Sequence, residues 1–90
     1  MTENKITSYP KEKINILFLE NISDVAVKHF NAAGYTNVKK INGALSEDEL
    51  AAAIKNVHLL GIRSKTQITK KILDAADKLQ AIGCFCIGVN

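Results

Sequence analysis

Arg63, Ser64 and Lys65 follow one another at the polar end of a mostly apolar run, Val57 to Thr66, V-H-L-L-G-I-R-S-K-T. A guanidinium presents two parallel N–H donors to a carboxylate or phosphate, a hydroxyl adds a donor, and an ammonium adds positive field. Together they suit binding of an anion. For Arg63 the competing role is an exposed arginine that caps the next helix or pairs with a carboxylate. Proton-transfer chemistry has no comparable signal. His29 and His58 have no Ser, Cys or Asp at a catalytic spacing, and both read as structural.

The elements that position this triplet follow from the apolar pattern. Ile14 to Leu19, I-N-I-L-F-L, suits a central strand buried on both faces, and Glu20 and Asn21 break it. Ser23 is an N-cap, Ile22 and Val27 form a hydrophobic staple, and Ala26, Val27, Phe30 and Ala33 make one helical face that Gly34 terminates. Tyr35 to Ile41 is a more polar strand, placed at the sheet edge. Ser46 and Glu49 form a capping box with a Leu45–Leu50 staple, and that helix ends near Asn56. Thr69 caps a third helix whose buried stripe is Ile72, Leu73, Ala76 and Leu79. Ala81 to Asn90, A-I-G-C-F-C-I-G-V-N, is a last, apolar strand. Strand and helix alternate throughout, which predicts an α/β fold with a parallel sheet and right-handed crossovers.

The chain has 90 residues, a size for one domain, and a formal charge of +3. Its basic residues gather only as the pairs Lys39-Lys40 and Lys70-Lys71, which read as solvated faces, so nucleic acid is not an expected partner. No apolar run reaches the roughly 20 residues that span a bilayer, and the N-terminus lacks a signal-type apolar segment. The expectation is a cytoplasmic protein with no membrane partner. Cys84 and Cys86 share one strand face and read as reduced, buried thiols, their C-x-C spacing lacking the second pair of a zinc site. Phe85 between them is core on the opposite face, and Gly83 and Gly88 permit close packing or a turn. Residues 1–13 read as a polar tail or arm, and residues 14–90 as one unit.

That unit stops just after a buried-type strand with no helix to cover it, and the expectation is therefore a fragment. The G-I-R-S-K-T motif (Gly61 to Thr66) and I-G-C-F-C-I-G (Ile82 to Gly88) carry a resemblance that extends from about Lys13 to Asn90. It includes A-A-G-Y-T-N (Ala32 to Asn37), G-A-L (Gly43 to Leu45) and A-A-D-K-L (Ala75 to Leu79). The chain resembles the N-terminal segment of the D-2-hydroxyacid dehydrogenase family, and within it the D-3-phosphoglycerate dehydrogenase branch.

The resemblance implies a flavodoxin-like open parallel sheet of about four strands with three helices. That would be an incomplete half of a substrate-binding domain, truncated before a Rossmann domain. It implies a parent enzyme that oxidises 3-phospho-D-glycerate to 3-phosphohydroxypyruvate with NAD in L-serine biosynthesis, assembled as a homo-oligomer, a tetramer. It assigns Arg63, Ser64, Lys65 and Asn90 to substrate binding, and places the family's arginine and histidine–acid pair downstream of this chain. The sequence also contains no G-x-G-x-x-G for NAD. The 90-residue chain alone is therefore expected to be inactive. Three positions depart from relatives. Lys65 stands where many have arginine, Val89 replaces a threonine, and Asn42 stands where some have a lysine, a charge that Lys40 could supply from another angle.

Two other classes compete. One is a self-contained flavodoxin-like module that binds an anion or a partner without catalysis, a stable and cooperatively folded monomer. A receiver-type phosphorylation domain is weaker, because only Glu20 and Arg63 stand where that chemistry wants an acidic pair and an aspartate.

Overall fold

Alternation along the first strand decides the architecture. Leu17 and Leu19 are buried in one hydrophobic cluster, Ile16 and Phe18 in the other. A strand buried on both faces needs helices on both, as in a doubly wound sheet. The computed structural model, which describes residues 10–85, has this form. Strands β1 (Ile16–Phe18), β2 (Val38–Lys40), β3 (Leu59–Ile62) and β4 (Ala81–Cys84) are all parallel, in the order β2-β1-β3-β4. The helices are α1 (Asp24–Ala32), α2 (Glu47–Ala53) and α3 (Lys70–Ala75).

Leu50 and Ile54, from α2 and the 3₁₀ turn that follows it, and Ile72 from α3 cover the Leu17–Leu60–Ile62 face. Ala26, Val27 and Phe30 of α1 pack half-buried on the Ile16–Phe18 face. Phe18 is the anchor there, with Phe30 edge-on at 5.5 Å and Phe85 tilted at 5.4 Å between ring centroids.

The start signals act as the sequence predicts. The Ser23 hydroxyl accepts from the Val25 N–H, and the Thr69 hydroxyl from the Ile72 N–H. Ser46 and Glu49 form a complete capping box. Ser46→Ala removes the acceptor for the Glu49 N–H and costs about 1 kcal/mol. A lowered denaturant midpoint at unchanged m-value checks it. Gly34 ends α1 at φ 105°, a left-handed conformation that favours glycine.

Residues 11–13 form a 3₁₀ turn on the chain's own surface. Lys11 donates to the Ala33 carbonyl at 2.8 Å, satisfying the end of α1, and sits over the Tyr35 ring.

Four expectations need correction. Leu73 is 53% exposed, because α3 is short and Ala76, at ψ 83°, leaves the helical region, so Ile72 alone carries the buried stripe inside it. Leu79 still packs on the core from beyond the helix. Ala33 is exposed at the helix end. The last strand is an exposed edge rather than a buried one, since none of the described elements covers its outer side. Cys84 is accordingly exposed, not buried. Cys86 and Gly88 lie outside the described residues. Phe85 does pack on the core, against Phe18.

His58 is buried and structural. Its Nδ1 accepts the Asn15 N–H at 2.9 Å, which puts the ring proton of the neutral form on Nε2.

Candidate anion site

Parallel neighbours end side by side, so the residues that follow β1, β2 and β3 converge. Connections leave β1 and β3 toward opposite faces of the sheet, and the crevice between those strand ends is where open α/β sheets bind ligands. Here it is an open cleft of about 340 Å³ lined by Glu20 and Asn21 after β1, Asn42, Gly43 and Ala44 after β2, and Arg63, Ser64 and Lys65 after β3. The structure thus brings Arg63, Ser64 and Lys65 together on one wall, all exposed. Among the described residues neither the Arg63 guanidinium nor the Lys65 ammonium is in an ion pair. Asn90 lies outside the described residues. Asn42 lines the opposite wall. Lys40 does not replace the missing charge, because Asp24 holds it at 2.6 Å away from the cleft lining. The same pairing lowers the Asp24 pKa, chiefly through the hydrogen bond from Lys40.

Two contacts set the geometry of the cleft. The first is close approach of β1 and β3. Phe18 and Gly61 are register partners, and a Cβ on Gly61 would stand 2.5 Å from Phe18 Cδ1. Only glycine leaves room for that ring.

The second is Glu20. Its Oε2 accepts the N–H groups of Arg63 and Thr66, both at 2.9 Å, and its Oε1 accepts the Lys65 N–H at 2.8 Å. Burial opposes ionisation of this carboxyl, but the Thr66 side chain and the N–H groups of Lys65, Arg63 and Thr66 outweigh it and hold the pKa down to about 2. The three N–H bonds are the firm part of that balance, since the buried Thr66 Oγ1 meets no partner at hydrogen-bond geometry among the described residues. Because the folded pKa lies below the ordinary 4.5, the clamp is fully present above about pH 4.5 and is lost as pH falls toward 2.

Glu20 and Asn21 both take positive φ, 62° and 56°, which is strained for residues with a Cβ. The turn is held from the other wall, where the Glu20 N–H donates to the Gly43 carbonyl and the Asn21 N–H to the Ile41 carbonyl, each at 3.0 Å. Sequence reasoning took Glu20 as the end of a strand and as one acid of an incomplete receiver-type pair, not as a partner of the 63–66 loop. The signal was available: a carboxylate just past a central strand lies beside whatever ends the neighbouring parallel strand, here the Arg-Ser-Lys turn.

Among the described residues no group of three or more His, Cys, Asp or Glu side chains could hold a metal ion. No helix among the described residues is long and apolar enough to cross a membrane.

An all-parallel sheet with a cation-rimmed cleft at its switch point is the arrangement in which open α/β domains bind ligands. Comparison with known proteins makes the class specific. The model of the D-isomer specific 2-hydroxyacid dehydrogenase catalytic domain matches residues 16–90. The chain belongs to that family.

Among curated relatives, D-3-phosphoglycerate dehydrogenase of Dictyostelium discoideum is 54% identical over 84 residues, 93% of this chain. The enzymes of that name from Escherichia coli K12 and Haemophilus influenzae are 45% and 47% identical over 92% and 97% of it. The chain spans about a fifth of the length of these relatives, 20%, 20% and 21% in turn.

Proposed function

We propose that this chain is part of the substrate-binding domain of an NAD-dependent D-3-phosphoglycerate dehydrogenase, the enzyme that turns 3-phospho-D-glycerate into 3-phosphohydroxypyruvate on the way to L-serine. The observation that carries the reading is the Arg63 guanidinium, in no ion pair among the described residues, beside Ser64 and Lys65 in the switch-point cleft of a chain whose relatives bear that name. In this reading Arg63 supplies a two-pronged donor to a carboxylate or phosphate, Ser64 further donors, and Lys65 positive field. Asn90, which lies outside the described residues, is assigned to the substrate by the family resemblance alone. A cytoplasmic, homo-oligomeric enzyme, a tetramer, belongs to the same proposal.

NAD, were it bound to the parent enzyme, would supply the hydride acceptor for oxidation of the substrate alcohol. The described residues do not fit the dinucleotide. The turn from β1 into α1 carries the ionised Glu20 and Asp24 where a pyrophosphate would need glycines and free N–H groups. No hydride step is therefore assigned to this chain, whose part is to hold and orient the anionic substrate.

The test is NADH formation with 3-phosphoglycerate, in the 90-residue chain and in a protein that carries this segment ahead of its family's nucleotide-binding domain. The longer protein is expected to turn over and the short chain to form no NADH. Turnover by the short chain, or a longer protein indifferent to the phosphate group, would overturn the reading.

A further inference from the structure

Four consecutive backbone N–H groups follow β3, from Arg63 to Lys65 and on to Thr66, and one carboxylate takes three of them. The fourth, on Ser64, makes no hydrogen bond among the described residues. Glu20 is also tied by its own N–H to Gly43, on the facing wall of the cleft. One residue thereby joins both walls.

We propose that Glu20 is the positioning residue of the anion site: its carboxylate acts as an internal counter-anion that holds the 63–66 loop and leaves the Ser64 N–H and the Arg63 guanidinium as the donors for an incoming carboxylate or phosphate. The proposal rests on the substrate-binding reading above and deepens it.

The physical argument is one of competition. A run of unsatisfied N–H groups beside a cation attracts any small anion and adapts to it. With three donors taken, the loop offers the ligand one main-chain donor in a fixed place, and recognition passes to the planar fork of Arg63. The cost is a negative charge at the rim of an anion site. That charge is offset by the three N–H dipoles it binds, and both Arg63 and Lys65 extend from the loop it holds. The strained φ at Glu20 and Asn21 is consistent with a turn kept for its geometry, since a residue in the ordinary region would aim the carboxylate elsewhere. The apolar gap between Phe18, Leu59, Ile82 and Phe85 on the sheet face is a separate feature and touches none of these groups.

Amide hydrogen exchange of the 90-residue chain, followed by titration with 3-phosphoglycerate and with inorganic phosphate, tests the role. In the unsubstituted chain the amides of Arg63, Lys65 and Thr66 are expected to be protected and that of Ser64 to exchange fast. A uniformly fast loop would overturn the proposal without any variant. Glu20→Gln keeps the size but points an NH₂ at one of the donors. It is expected to lose protection at those three positions, to keep it at Leu60 and Ile62, and to bind 3-phosphoglycerate roughly tenfold more weakly. Glu20→Asp, still charged but shorter, is expected to recover part of both. A Glu20→Gln chain with unsubstituted loop protection or affinity would refute positioning. A chain whose loop is protected but which binds neither anion would instead refute the substrate-site reading and leave the clamp standing.

Discussion

Under the proposed function, Arg63→Ala is expected to weaken binding of 3-phosphoglycerate by roughly ten- to a hundredfold, the largest loss from any single side chain lining the cleft. A hydrogen bond to a charged group is worth about 1.5–3 kcal/mol, and 1.4 kcal/mol is about tenfold in affinity. The guanidinium is exposed and held by no carboxylate among the described residues, so it enters binding without first breaking an ion pair. Stability should barely change, because alanine retains the backbone N–H that Glu20 binds. Arg63→Lys keeps the charge and loses the fork, and recovers only part of the affinity. Lys65→Ala costs less, and its effect shrinks with added salt as screening removes the contribution of a solvated ammonium. Calorimetric titration of the three variants checks the order. Equal losses at Arg63 and Lys65 would show that net charge, not bidentate geometry, governs the site.

Gly61→Ala destabilises the chain by about 1–3 kcal/mol, the range for overpacking a tight core. The new methyl would stand 2.5 and 2.9 Å from Phe18 Cδ1 and Cε1 and 3.1 Å from Ile22 Cδ1. Both neighbours are 1% exposed, so neither can swing into solvent. The cost should depend on the ring. Phe18→Leu makes space, and the double variant is expected to be less destabilised than the sum of the two single changes by at least about 0.5 kcal/mol. Urea unfolding of the four proteins measures that coupling.

The consequence reaches the site, because the Gly61 carbonyl accepts the Leu19 N–H, one residue before Glu20. Pushing β1 from β3 moves the carboxylate relative to the loop it clamps. Part of the loss should therefore appear as weaker anion binding even where the chain is folded.

Much of this fold is written in local signals, and those are the parts that sequence reading reaches. The Ser46–Glu49 box, the Ser23 and Thr69 caps and Gly34 each depend on residues within a few positions of one another. The polar character of Val38–Lys40 suffices to place β2 at an edge. What eluded the sequence depends on packing between distant segments. Leu73 and the apolar β4 are hydrophobic enough to be core, and only the order of strands and the short α3 reveal that they face outward.

The site divides in the same way. Arg63, Ser64 and Lys65 were legible because adjacent cations and a hydroxyl at a strand end are a contiguous signal. Glu20 was not, since its partners are more than forty residues away and are backbone N–H groups, which no side-chain pattern marks.

The central claim is that the ends of β1 and β3 form an anion site built on Arg63 and Ser64. Two-dimensional ¹H–¹⁵N spectra of the 90-residue chain, titrated with 3-phosphoglycerate and in parallel with uncharged glycerol, test it most directly. Saturable shifts at the Ser64 amide and the Arg63 side chain, with 3-phosphoglycerate alone, are the predicted result. Unmoved signals from residues 63–66, or the same response to glycerol, would contradict it.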